Sequence, residues 1–258
     1  MNLAADLAAD LAALLTIPFH PPTDAAALLQ IALRWVHYLA AIVWVGLLYF
    51  FTLVNVPFMR GLEPELKPRI YRSLTMPALQ WFRWASLVTV VAGIWFWMIE
   101  IGNNVRAAQS MGYPGASGGM VIGTFFGLWT FAWVVEFALL TPLKGPLNKG
   151  WVLGALIAAT AAFIAYAFLR INDAPWLANN VLSIGVGGGI GWLMLLNVWG
   201  IIWRHNKKII RGTLAGTPPE NAATLARQAL LASRVNFFLS WPMLFFMAAA
   251  SHYPLLGR

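Results

Sequence analysis

The chain has 258 residues, 60% of them apolar and only 10% charged, with a mean hydropathy of +0.70. Those proportions exclude an ordinary soluble domain and indicate an integral membrane protein, long enough for several helices of about 20 residues, each crossing roughly 30 Å of hydrocarbon. The lack of any cysteine excludes disulfides, thiolate metal sites, iron–sulfur clusters and covalently attached c-type haem, and the net charge of +8 is expected to reflect membrane topology, with no nucleic-acid partner.

In chain order, residues 1–24 lack the basic start and small-residue cleavage site of a secretory signal. They carry Asp6 and Asp10 and close on Pro18, Pro21 and Pro22, so a short surface helix is expected there. Residues 25–258 are expected to form one all-α polytopic bundle of about six spans: 25–58, 78–101, 119–140, 151–169, 180–203 and 229–251. The breaks between them are rich in Gly, Pro, Asn or charge, as helix ends are. Fourteen tryptophans suit the headgroup level of a bilayer, with some left to pack inside or line a flat cofactor.

Basic residues collect in alternate loops. Arg60, Lys67, Arg69 and Arg72 lie in the first, Lys144 and Lys149 in the third, and Arg204, Lys207, Lys208, Arg211 and Arg227 in and around the fifth. Since cytoplasmic loops accumulate Lys and Arg, both termini are expected on the outer side. This topology sorts the intramembrane polar residues into an outer layer of Arg34, His37, Glu100 and His252 and an inner layer of Asn55, Arg83, Glu136, Asn197, Arg234 and Asn236. Both sets are expected to point into the bundle and satisfy one another, because such groups are costly against lipid.

The first span, RWVHYLAAIVWVGLLYFFTLVNVPF, places His37, Ala41 and Trp44 on one helical face, a small step between two rings. Such a face suits a b-type haem held axially by His37, with His252 as a candidate second ligand; equally, His37 could bond to a neighbouring helix as structural glue. His20, among prolines, and His205, in a basic helix end, are weaker candidates. Glu136, in WTFAWVVEFALL, either transfers protons or binds substrate, or else forms a structural ion pair with Arg83 or Arg234. Met98, Met194, Met243 and Met247 read as packing residues. SIGVGGGIGW in the fifth span permits close approach of a helix or a planar ligand, and lacks the lysine and preceding strand of a nucleotide loop.

NVWGIIWRHNKKII at 197–210 and SRVNFFLSWPMLFFMAAASHYP at 233–254 resemble the membrane domain of the bacterial cytochrome-linked urate oxidase family, as does RWVHYLAAIVWVG at 34–46. More distantly, the histidine-containing helix is similar to those of copper-resistance membrane proteins and haem-dependent protoporphyrinogen oxidase. The resemblance implies a multi-pass protein of the bacterial inner membrane that oxidises urate or a related small molecule. Electrons would pass to a separate c-type cytochrome, since no cysteine here can attach that haem. It also implies a polar layer in which Glu136, Arg234 and Asn236 are catalytic and Arg34 and Asn197 bind substrate, with His37, Trp44 and His252 around a haem. The chain departs from the family pattern at Val235 and Phe237, where a histidine followed by a polar residue is expected. The other readings are a haem b electron-transfer subunit and a non-catalytic accessory subunit of a larger respiratory or photosynthetic complex.

Overall fold

A computed structural model describes residues 7–8, 11, 22–142 and 145–256. The expected N-terminal surface helix, with His20, falls outside these residues apart from its positions 7–8, 11 and 22–24, as does Lys144. Two compact units divide the chain, 1–32 and 33–258. In the first, the Asp24 carboxylate accepts a hydrogen bond from the Ala27 N–H at 2.8 Å, satisfying a free donor where α1 begins.

Six helical stretches are long and apolar enough to cross a membrane, and the described residues contain no strand. The first is α1 (Ala25–Tyr49), a π-helical segment (Phe50–Asn55) and α2 (Val56–Gly61). The second is a 3-10 turn (Pro64–Leu66), α3 (Lys67–Ile70), a second π segment (Tyr71–Thr75) and α4 (Met76–Ser110). Then come α5 (Gly119–Leu140) and α6 (Gly150–Ile171). The fifth stretch is α7 (Asn179–Asn197), a third π segment (Val198–Ile202) and α8 (Trp203–Leu214), and the sixth is α9 (Ala222–His252).

The helices overrun several expected ends, most of all in the second stretch, which begins at Pro64 rather than near Ala78. Proline is the reason. Pro57 and Pro77 each follow a π segment by two residues. A proline inside an α-helix drives its ring into the carbonyl four residues back, and a widened π turn moves that carbonyl aside, so the helix continues where α geometry alone would have stopped.

Polar bonds tie the ends together in register. At the end bearing the basic loops, Gln228 Nε2 of α9 donates to the Leu140 carbonyl of α5 at 3.2 Å, and Arg227 donates to the Asn148 carbonyl at 2.8 Å. At the far end, Asn179 Nδ2 donates to the Ala250 and Tyr253 carbonyls, both at 3.1 Å, and Asn180 donates to Glu100 at 2.8 Å.

α7 is the axis of the bundle, buried along most of its length, and its glycines are what allow this. At Gly187 a Cβ would stand 3.0 Å from the Phe246 Cβ and 3.1 Å from the Met243 carbonyl oxygen, so α9 packs almost backbone to backbone against α7. At Gly189 a Cβ would overlap the indole of Trp129, a fully buried ring lying flat on the helix. Lipid tails are as apolar as leucine, so packing of this kind drives helix association in a bilayer.

Gly189→Ala should therefore lower the stability of the detergent-solubilised protein by about 1–3 kcal/mol, because buried Trp129 has nowhere to retreat. Gly154→Ala, where a Cβ meets nothing within 4 Å, should be neutral or slightly stabilising. Thermal unfolding of the two variants beside the wild type measures the difference.

Candidate functional site

Three separate groupings hold most of the intramembrane polar residues; Arg83, Glu100 and His252 stand apart from them. The first is a cavity toward the end remote from the basic loops, with a volume of about 160 Å³. Arg34, His37, Ala41 and Trp44 of α1 line one side, so the expected common face of His37, Ala41 and Trp44 is present and looks into it. Thr89, Gly93 and Trp97 of α4 form a second wall, Gly188 and Gly191 of α7 a third, and Met243 and Met247 of α9 a fourth.

His37 is fixed within this cavity. Its Nδ1 lies 2.8 Å from the Thr89 carbonyl, and a carbonyl only accepts, so Nδ1–H is the donor and Nε2 is left as the lone-pair nitrogen of the neutral ring. That is the orientation in which a backbone carbonyl holds a metal-ligating histidine. Gly93 permits it, since a Cβ there would sit 2.7 Å from Nδ1. Arg34 lies over the Phe96 ring, 5.5 Å from its centre. Trp44 is almost wholly buried, and its Nε1 has no acceptor.

His252 does not join this group. It is exposed at the end of α9, its Nδ1 3.1 Å from the Ala248 carbonyl one turn back, and it does not line the cavity. Met243 and Met247, read from sequence as packing residues, do. Their positions four residues apart on α9 put both on the inward face, a periodicity that could have singled them out.

The second grouping is a buried polar knot, in which Glu136 Oε2 and Asn197 Oδ1 have no partner. Asn197 Nδ2, at the last α turn before the third π segment, donates to Glu136 Oε1 at 2.8 Å and to Asn236 Oδ1 at 2.9 Å. Asn236 Nδ2 donates to the Met194 carbonyl at 3.0 Å. Glu136 is 1% exposed, and both asparagines are fully buried. The expected ion pair of Glu136 with Arg83 or Arg234 is not formed: the partner of Glu136 Oε1 is the Asn197 amide. Arg83 instead lies against the rings of Trp84, Trp199 and Trp203, at 4.9, 4.8 and 4.1 Å from their centres, where the aromatic faces satisfy its charge.

Arg234 belongs to a third grouping. It stands two residues before Asn236 on α9, and two helical steps turn a side chain to nearly the opposite face. It lines a second cavity, of about 170 Å³, nearer the basic loops, with Thr52, Asn55, Thr75, Asn206 and Ser233. The expected catalytic set of Glu136, Arg234 and Asn236 is thus divided between the knot and this cavity, and Arg34 lies apart from both. Phe237, at the departure from the family pattern, packs on Tyr49 with ring centres 4.9 Å apart.

Asn197→Leu should cost about 1–3 kcal/mol for each group it strands, and it strands both Glu136 Oε1 and Asn236 Oδ1. Glu136→Gln keeps an oxygen acceptor for Asn197 and should leave thermal stability and any turnover nearly unchanged. A large loss of turnover with folding intact would make Glu136 a chemical participant.

The family model described as urate oxidase N-terminal matches residues 69–257, about three quarters of the chain. The match takes in the knot, Arg234, the α4, α7 and α9 walls of the first cavity and the α4, α8 and α9 walls of the second, while Arg34, His37 and Trp44 lie ahead of it. No curated protein and no solved structure is similar enough to the chain to count as a match. Extending over most of a bundle whose spans and polar residues are now located, the match shows that this chain belongs to the urate oxidase N-terminal family.

Proposed function

We propose that this chain is the membrane redox domain of a urate-oxidase-type system, oxidising urate or a related small molecule and passing the electrons to a separate c-type cytochrome. The observation that carries the reading, beside the family, is the His37 cavity: a histidine held through Nδ1 by a backbone carbonyl, Nε2 free, among flat and small side chains.

The donor chemistry of that cavity fits a b-type haem. His37 would hold it on one face, Trp44, Trp97 and Phe125 would flank it, and Gly191, where a Cβ meets nothing within 4 Å, leaves space beside it. Met243 and Met247 offer thioethers from α9, the partner that makes a histidine–methionine pair. When bound, such a group supplies one-electron oxidation and reduction. Arg34 brings a fork of donors suited to a carboxylate, and the apolar lining excludes water. The basic loops mark the cytoplasmic side by the positive-inside rule, so the cavity lies toward the side where a soluble c-type cytochrome would dock.

A reduced-minus-oxidised visible spectrum of the purified protein should show a b-type signal, and His37→Ala should abolish it without preventing insertion, since apolar substitution favours the spanning state. Urate-dependent reduction of added cytochrome c should accompany the signal. Haem retained in His37→Ala removes the ligand assignment. A haem signal without any urate-dependent reduction favours an electron-transfer subunit.

A further inference from the structure

The cavity beside Arg234 is built by all three π segments. Phe51, Thr52 and Asn55 come from the first, Thr75 from the second and Ile202 from the third, with Arg234 and Ser233 entering from α9 and Asn206 from α8. Such bulges cost regular hydrogen bonding and recur at functional sites. Three of them around one cavity shape it in a way that straight helices would not.

Three of its polar atoms are buried without partners, while Asn206 Nδ2 donates to the Ile202 carbonyl at 2.8 Å. Thr75 is 6% exposed and Asn55 9% exposed, yet Thr75 Oγ1 and Asn55 Oδ1 have none, and neither has Thr52 Oγ1. Five other threonines behave differently. Thr89, Thr124, Thr141, Thr160 and Thr213 all return their hydroxyls to the carbonyl four residues back, at 2.7 to 2.9 Å. A helical threonine in an apolar setting ordinarily takes that bond, so the two π-segment hydroxyls are withheld from the backbone and available to something in the cavity. Among the described residues, Arg234 is the only charged one in the lining, and no carboxylate shares it.

We infer that this cavity binds a small anion that carries N–H donors of its own. Arg234 offers paired donors to an anionic, carbonyl-bearing edge, the two threonine hydroxyls can donate or accept, and Asn55 Oδ1 requires a donor from the ligand. A phosphodiester has no proton to offer Asn55, whereas a cyclic amide or imide anion carries ring N–H groups that do, which favours the latter over a lipid phosphate. The cavities share helices: Trp44 and Val45 line one and Leu48 the other, and four residues of α1 rise only about 6 Å. The ligand site therefore stands beside the His37 cavity without overlapping it. This assignment rests on the oxidative reading only for the choice of probe.

The test is equilibrium dialysis of labelled urate against the detergent-solubilised full chain, without an electron acceptor. Saturable binding is expected, weakened roughly tenfold or more by Arg234→Gln and about three- to tenfold by Thr75→Val. Arg234→Lys should recover part of the affinity, and His37→Ala should bind as the wild type does. Elution position and thermal unfolding establish that each variant is folded. No saturable binding to the wild type, undiminished binding to both folded Arg234→Gln and Thr75→Val, or a loss in His37→Ala as large as in Arg234→Gln each overturns the assignment. Binding with this pattern but no turnover upholds the site while removing the oxidase reading.

Discussion

A polar group buried in a bilayer is costly unless it finds a partner inside the protein, and the close packing of α7 brings such partners to Glu136 and Asn236. Gly187 brings the α9 backbone against α7, and Gly189 lets Trp129 of α5 lie on the same helix. With α5, α7 and α9 drawn together, Asn197 reaches both Glu136 and Asn236, one residue from each neighbouring helix. Without that approach the knot would come apart and a buried carboxylate would be left with no donor at all.

Proline and the π turns make the next layer. Two of the three π segments precede a proline by two residues, so the device that carries α1 and α4 past Pro57 and Pro77 also turns Thr52, Asn55 and Thr75 toward a common space. The outer cavity is arranged differently. It is lined by regular α-helix, with Gly93 making room for His37 and the Thr89 carbonyl fixing its ring. The outer cavity holds one oriented histidine nitrogen with Arg34 in its lining, and the inner one holds unpartnered threonine and asparagine oxygens beside Arg234. That contrast underlies the two proposals, an electron carrier in the outer cavity and a charged small molecule in the inner one.

Much of the site was legible along single helices. The face shared by His37, Ala41 and Trp44 needs only helical periodicity, and all three line one cavity. The glycine run pointed to close packing, which Gly187 and Gly189 display. What failed was pairing between helices. Glu136 was expected beside an arginine because opposite charges attract, but tryptophan faces around Arg83 and the outward turn of Arg234 leave it to asparagine. The methionines of α9 were passed over because a thioether in a membrane helix looks like packing until its neighbours are known.

By itself, the amino-acid sequence determined that this is a six-span helical membrane protein of the urate oxidase N-terminal family, because hydrophobic length, loop charge and family motifs are properties of the linear chain. Which intramembrane polar residues meet was decided only by the tertiary structure. Rotation about each helix axis, the steps at the π segments and the depth of each glycine contact together determine which side chains face one another, and none of these is written in the order of residues along one helix.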